Sequence, residues 1–222
     1  MRNISSAPGE YYHLFNRGMS KQNIFFDKND WVRFLFLILH LQSPTVFQNI
    51  GRPVKEFVKH SVFNTGDQVE KITANRYVTL ATFCLMPNHF HLIIKEEEEG
   101  GIATYMQRIL NGYTKYINTK YKKTGHLFQG PYKIVHVESD RQLLYLSAYI
   151  HKNPRELKEW RGRENHYPWS SYKDFDHNRW PDLLVPNIIV DSFRNKKECK
   201  EFIQGSTAKT FEEELDEESL GR

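Results

Sequence analysis

Two short segments carry side chains whose types and spacing could do chemistry together: Met86-Pro87-Asn88-His89-Phe90-His91 and Tyr149-Ile150-His151-Lys152-Asn153-Pro154. Side chains two apart in a strand point to the same face, so His89 and His91 present two imidazoles to one cation. Residues four apart share a helix face, which sets the Tyr149 phenol beside the Asn153 amide oxygen. A divalent ion on these donors would polarise a phosphodiester, and the phenol would attack it and become covalently attached. Such chemistry nicks and rejoins DNA. Tyrosine is a poor nucleophile at neutral pH, with an ordinary pKa of about 10, so it needs a base or a cation nearby. The mixed nitrogen and oxygen set, completed by water, suits Mg2+ or Mn2+, with zinc also compatible. His151 lies about 200° around the helix from Tyr149 and is assigned a structural or supporting role.

The elements that must hold these groups can be read from periodicity. Tyr11–Arg17 reads as a strand closed by Gly18. Asp30 is a candidate cap for a helix from Trp31 to about Leu41, with Phe34, Leu35, Ile38 and Leu41 at helical spacing. From Ser43 to Asn75 the period is lost, and this stretch reads as an insertion with a short helix near Val54–Val62. Arg76–Leu85 and His89–Lys95 form a hairpin through Met86-Pro87-Asn88. The flanking Leu85, Phe90, Leu92 and Ile94 are apolar, so two polar rings in that strand are costly without a partner. Ile102 to about Lys123 reads as a helix, Lys133–Val137 as a strand. Ser139 with Gln142 reads as a capping box opening a helix that Pro154 ends. On it Leu143, Leu146 and Ile150 form an apolar stripe, and Tyr145, Tyr149 and Asn153 another. Tyr167–Tyr172 reads as an aromatic clamp, and Ile188–Gln204 as one further helix.

The bulk properties set the class. With 222 residues and 39% hydrophobic content the chain can bury one substantial domain with appendages. No apolar run is long enough for a membrane span, and the N-terminus lacks the apolar stretch of a signal peptide, so the expectation is a cytoplasmic protein with no membrane association. Cys84 and Cys199 are too few and too far apart for a disulfide framework or a CxxC zinc site, and read as plain thiols. Net charge is only +4, but twelve Lys and Arg against four Asp and Glu fall between Tyr105 and Arg163, leaving +8 there and −4 elsewhere. A basic segment around the candidate site suits a polyanionic partner. Phe211–Ser219 carries six acids and is expected to be disordered.

Five motifs in order, Tyr12-His13-Leu14-Phe15-Asn16-Arg17-Gly18, Leu85 to His91, Gly125-His126-Leu127-Phe128-Gln129-Gly130, Tyr149 to Pro154 and Trp169-Ser170-Ser171-Tyr172, resemble the single-tyrosine HUH transposases, in particular the REP-associated tyrosine transposases. The resemblance covers most of residues 11–175 and implies an α+β fold, a ferredoxin-like antiparallel sheet with helices packed on one face. It further implies His89 and His91 as the HUH metal ligands, Asn153 as third ligand, Tyr149 as the nucleophile of a 5′-phosphotyrosine bond, and single-stranded hairpin DNA as substrate. Two features depart from the pattern. Pro131 stands where relatives usually carry an arginine, which removes a phosphate contact, and the 43–75 insertion is long.

The reading is therefore a catalytic domain over residues 1–175 and a C-terminal extension over 176–222. Arg17, Lys115, Lys120, Lys122, Lys123 and Lys133 are candidate phosphate contacts, and Phe128 or Tyr132 candidate stacking platforms for an unpaired base. Strand transfer needs two ends held together, so a homodimer is expected. Two alternatives stand beside it: a hairpin-binding regulator without chemistry, and a rolling-circle nicking enzyme using Tyr145 together with Tyr149.

Overall fold

Four antiparallel strands, β1 (Tyr11–Arg17), β2 (Val78–Met86), β3 (His89–Glu96) and β4 (Lys133–His136), pair in the order β2-β3-β1-β4. The helices, in chain order, are α1 (Lys28–His40), α2 (Gly51–His60), α3 (Gln68–Ala74), α4 (Gly101–Tyr121), α5 (Asp140–Lys152), α6 (Asp174–His177), α7 (Asn187–Val190) and α8 (Lys196–Gly205). This computed structural model describes residues 6–206; the acidic stretch 211–219 lies outside the described residues. The β1-α1-β2 crossover with β3 inserted between its strands is the split βαβ arrangement of a ferredoxin-like fold. Among the described residues, no helix is long and apolar enough to cross a membrane.

Alternation along the strands sorts their side chains to two faces. Leu14, Phe90, Leu92 and Ile94 meet Phe34 and Ile38 of α1 and Tyr105, Met106 and Ile109 of α4. Ala81, Cys84, Met86 and Ile93 turn the other way and meet Leu143, Leu146 and Ile150 of α5 together with Cys199 and Ile203 of α8. The expected helix-covered face is thus the one under α1 and α4, and the opposite face carries α5 and α8 as well, because the apolar stripe of α5 needs a surface of its own to bury. Both cysteines are buried and neither is in a disulfide.

Local differences from the sequence expectation have local causes. Helix α1 is capped by Asp27, not Asp30: the Asp27 carboxylate accepts from Asp30 N at 3.1 Å while the Asp30 carboxylate accepts from Asp27 N at 3.2 Å, a reciprocal capping box. Asp30 is fully buried and also accepts from the Tyr116 hydroxyl at 2.9 Å, the Tyr121 hydroxyl at 2.7 Å and the Lys120 ammonium at 2.6 Å. The 43–75 segment is ordered into α2 and α3, and Val54, Phe57 and Phe63 pack on Val32 and Phe36 of α1. At α5 only half of the expected box forms, since Ser139 Oγ accepts from Gln142 N at 3.2 Å but the Gln142 amide oxygen turns to Glu138 N.

Strand β2 is the edge next to the site helix, and the 167–171 segment covers it. Leu85 N donates to Trp169 O at 2.9 Å, and the Tyr167 hydroxyl donates to Leu85 O at 2.9 Å. Ser171 Oγ accepts from Phe83 N at 2.9 Å and donates to Phe83 O at 3.1 Å. Its single hydrogen is then used, so His151 Nε2, 2.9 Å away, must donate to it. His151 therefore pins α5 to the sheet, in keeping with its place on the helix face opposite Tyr149.

Asp30→Ala should lower stability by about 2 to 4 kcal/mol, because it breaks the capping box and leaves the Tyr116 and Tyr121 hydroxyls without their acceptor at the α1–α4 junction, while Lys120 keeps Asp27; urea unfolding followed by tryptophan fluorescence reads this as a lower midpoint. Burial also pushes the His40 pKa down to about 4 and that of His151 to about 3. An unfolded chain binds these protons near pH 6.5, so the stability they confer is complete above that value and lost as pH falls towards 4. The expected loss is about 2 kcal/mol per histidine between pH 7 and 5, seen as a falling urea midpoint. His40→Leu should shallow that slope.

Candidate active site

Antiparallel pairing sets Phe15 opposite His91 and Arg17 opposite His89, so both imidazoles and these β1 side chains lie on the face that α5 crosses. The α5 stripe seats the helix so that the Tyr149 ring meets His91 edge-on, with centroids 5.6 Å apart, and Asn153 comes to His89. Asn153 is buried, at the junction of α5 with the short 3-10 turn Asn153–Glu156, where Pro154 ends the α-helix. The structure thus brings His89, His91, Tyr149 and Asn153 together from one chain. Tyr145 instead tilts against Phe202 of α8, with centroids 5.2 Å apart, beneath the Arg141 guanidinium.

Hydrogen bonding orients the polar atoms. Asn153 Nδ2 donates to Tyr149 O at 3.0 Å, which turns its Oδ1 towards His89 Nε2, 3.2 Å away. Asn88, in the hairpin turn, donates its Nδ2 to Lys21 O at 3.1 Å and so offers its Oδ1 to His89 Nδ1 at 2.7 Å. A neutral imidazole has one hydrogen, and the shorter contact takes it: Nδ1–H donates to Asn88. His89 Nε2 then holds a lone pair that faces the lone pairs of the Asn153 oxygen. Burial, foremost, holds His89 below the ordinary histidine pKa, with Asn153 and Glu156 opposing and Arg17 assisting. Burial likewise holds His91 well below it, helped by His13 and His89. Both rings are therefore neutral at physiological pH.

Two acceptors facing each other at this distance are brought into balance by a cation between them. Neighbouring ligands on an octahedral ion, with bonds of about 2.1 Å, stand about 3 Å apart, which is the separation of His89 Nε2 and Asn153 Oδ1. Among the described residues, no group of three or more His, Cys, Asp and Glu side chains is placed to hold a metal ion. A cation here would rest on two neutral imidazoles and one amide oxygen, leaving its charge free for a phosphate. The donor set fits a divalent ion with open positions.

Beside the histidines lies a cleft of about 520 Å³, lined by Phe15, Arg17, Lys21, Gln129, Pro131 and Lys133 among others. Arg17 Nε donates to Gln129 Oε1, and the Lys133 ammonium sits 5.6 Å from the Phe15 ring centre. Of the sequence-derived DNA contacts, Arg17 and Lys133 reach this cleft. The others do not. Lys120 is engaged with Asp27 and Asp30; Lys115 and Lys122 lie on α4 and at its end, and Lys123 at that end stands over Phe26 at 4.3 Å. Phe128 is buried against Phe90 and Tyr113, so its ring is core and unavailable for base stacking, and Tyr132 packs half-buried on the same core.

The family model described as "Transposase IS200 like" matches residues 54–153, the span that holds both histidines, the tyrosine and Asn153. Over that span, 100 of the chain's 222 residues, the chain is similar to the IS200-like transposases. No curated protein matches it. A solved structure described as "Structure of the REP associates tyrosine transposase bound to a REP hairpin" is similar at a TM-score of 0.49 and 12% identity, over 85% of this chain and 92% of that one.

Sequence reasoning missed three residues at this site: Asn88, treated only as a turn residue; Lys21, which lines the cleft; and His13, whose ring touches His91. Gly18 gave a signal for Lys21, since a β-carbon there would collide with the Gln22 carbonyl and the chain must fold back sharply. Asn88→Ala frees the His89 hydrogen to move, and Asn153→Ala removes a donor. Each should weaken Mn2+ binding by roughly 10-fold or more, measured by electron paramagnetic resonance titration. Unchanged affinity in both would exclude a metal at this position.

Proposed function

We propose that this chain is a metal-dependent DNA strand-transferase acting on single-stranded DNA beside hairpins, of the REP-associated tyrosine transposase kind its motifs resemble. The observation that carries the reading is the facing pair of acceptors, His89 Nε2 and Asn153 Oδ1, on the same sheet face as the Tyr149 ring. With Mg2+ or Mn2+ bound, the site gains a Lewis acid that polarises the scissile phosphate. His89, His91 and Asn153 would hold that ion. Arg17, Lys21 and Lys133 would neutralise the strand that enters the cleft, whose Phe15 wall suits an unpaired base.

Tyr149 Oη attacks phosphorus in line with the departing 3′-oxygen. The Oη–P bond forms as the P–O3′ bond breaks, the phenol gives up its proton, and the 3′-oxygen takes one. The product is a 5′-phosphotyrosine and a free 3′-hydroxyl, which reverses the reaction without ATP because the phosphodiester energy is retained. Tyr145 has no part in this scheme, since it packs on Phe202. A homodimer would set two such sites side by side, each complete within its own chain.

Labelled single-stranded hairpin DNA incubated with the protein and Mn2+ should give a covalent protein–DNA band on a denaturing gel. EDTA and Tyr149→Phe should each abolish it, whereas Tyr145→Phe should keep it. A two-tyrosine nicking enzyme would retain part of the band in Tyr149→Phe. Hairpin binding that is undiminished in EDTA, with no band for any hairpin, would mark a regulator without chemistry.

A further inference from the structure

His13 lies on β1 opposite Ile93, two residues before the Phe15 that faces His91, so the pairing turns its side chain to the histidine-bearing face. The ring is buried and stacks on Phe15 at 4.7 Å and on His91 at 5.1 Å. His13 Nε2 stands 2.8 Å from His91 Nδ1. Two neutral imidazoles share one hydrogen in such a contact, and which ring supplies it decides what the far nitrogen of His91 can do. Supplied by His13, it leaves His91 with its own hydrogen on Nε2 and no lone pair there. Supplied by His91, it leaves Nε2 bare.

We propose that His13 is a positioning residue of the metal centre, accepting the Nδ1 hydrogen of His91 and so leaving His91 Nε2 free for the cation. This rests on the metal reading given under Proposed function. Metal-binding histidines commonly donate their second ring hydrogen to an acceptor behind them, and loss of that acceptor weakens ligation. Here each ligand has an acceptor of its own: Asn88 behind His89, His13 behind His91. Neither acceptor carries a negative charge, so the pair fixes both rings without adding anions next to a phosphate site. His13 Nδ1 is buried without a hydrogen-bond partner among the described residues. With the shared hydrogen coming from His91, that atom carries His13's own hydrogen unpaired, which is unfavourable. Ligation at His91 Nε2 offsets this and holds the hydrogen in place, so metal binding and ring tautomer are linked.

The test uses the whole protein with 15N-labelled histidine, whose long-range N–H correlation spectra report which ring nitrogen carries the hydrogen. With Mg2+ bound, His91, assigned by its loss in His91→Gln, is expected as the Nδ1–H form. Mn2+ affinity should fall by roughly 10- to 100-fold in His13→Leu, which fills the space but cannot accept. His13→Gln should recover most of it through its side-chain oxygen. An Nε2–H form of His91 with Mg2+ bound overturns the proposal, as does wild-type Mn2+ affinity in His13→Leu. A folded His13→Gln no better than His13→Leu does so too. If His13→Leu fails to fold, the wild-type spectrum and His13→Gln still decide. A wild-type protein that binds no Mn2+ removes the metal reading and the role of His13 with it, whereas normal binding that ignores residue 13 removes only the latter.

Discussion

Burial of the α5 stripe Leu143, Leu146 and Ile150 against Ala81, Cys84, Met86 and Ile93 fixes where everything else at the site can be. It decides which sheet face the helix crosses, and the three- and four-residue spacing of the stripe then leaves Tyr149 and Asn153 on the flank that overlooks the histidines. Helix burial is non-directional and would tolerate sliding along the sheet. The His151–Ser171 bond supplies the missing direction, since Ser171 is itself bound twice to the backbone of Phe83. Packing chooses the face, and one buried hydrogen bond chooses the position along it.

The site is assembled from neutral donors kept neutral by their surroundings. Burial disfavours charge on His13, His89 and His91, so each stays an uncharged ring with one lone pair to offer. The amides of Asn88 and Asn153 are locked by backbone acceptors at Lys21 and Tyr149. Positive charge sits instead at the cleft, on Arg17, Lys21 and Lys133. The charged rim and the uncharged interior are thus separate parts of the site.

The strands were legible because a buried sheet imposes a two-residue alternation that few other structures share, and β1 emerges with the bounds its sequence predicts. That His89 shares a face with His91, and Tyr149 with Asn153, followed from the strand and helix periodicities, whereas the meeting of the two pairs was expected from the motif resemblance. What sequence could not reveal was pairing across long separations. Asp27 and Asp30 look equally able to cap α1, and only the tyrosines of α4, some ninety residues on, bury Asp30 and make it the inner member of the box. His13 is one histidine among ten, and its partner is 78 residues away. Phe128 shows the converse error: an aromatic in a motif next to a basic strand invites base stacking, yet the same ring is what closes the core between Phe90 and Tyr113.

The Lys152 ammonium, one residue before Asn153, donates to the carbonyl oxygens of Gln204 and Ser206 at 2.7 Å each. It thus ties the end of α8 to the end of α5, while Cys199 and Ile203 share α5's apolar surface. Helix α5 is consequently one half of a bolted pair. An exchange of α5 between two copies of the chain, as in domain swapping, would have to carry α8 across with it or strip a lysine of both its acceptors, so the fold favours a site that each copy keeps to itself.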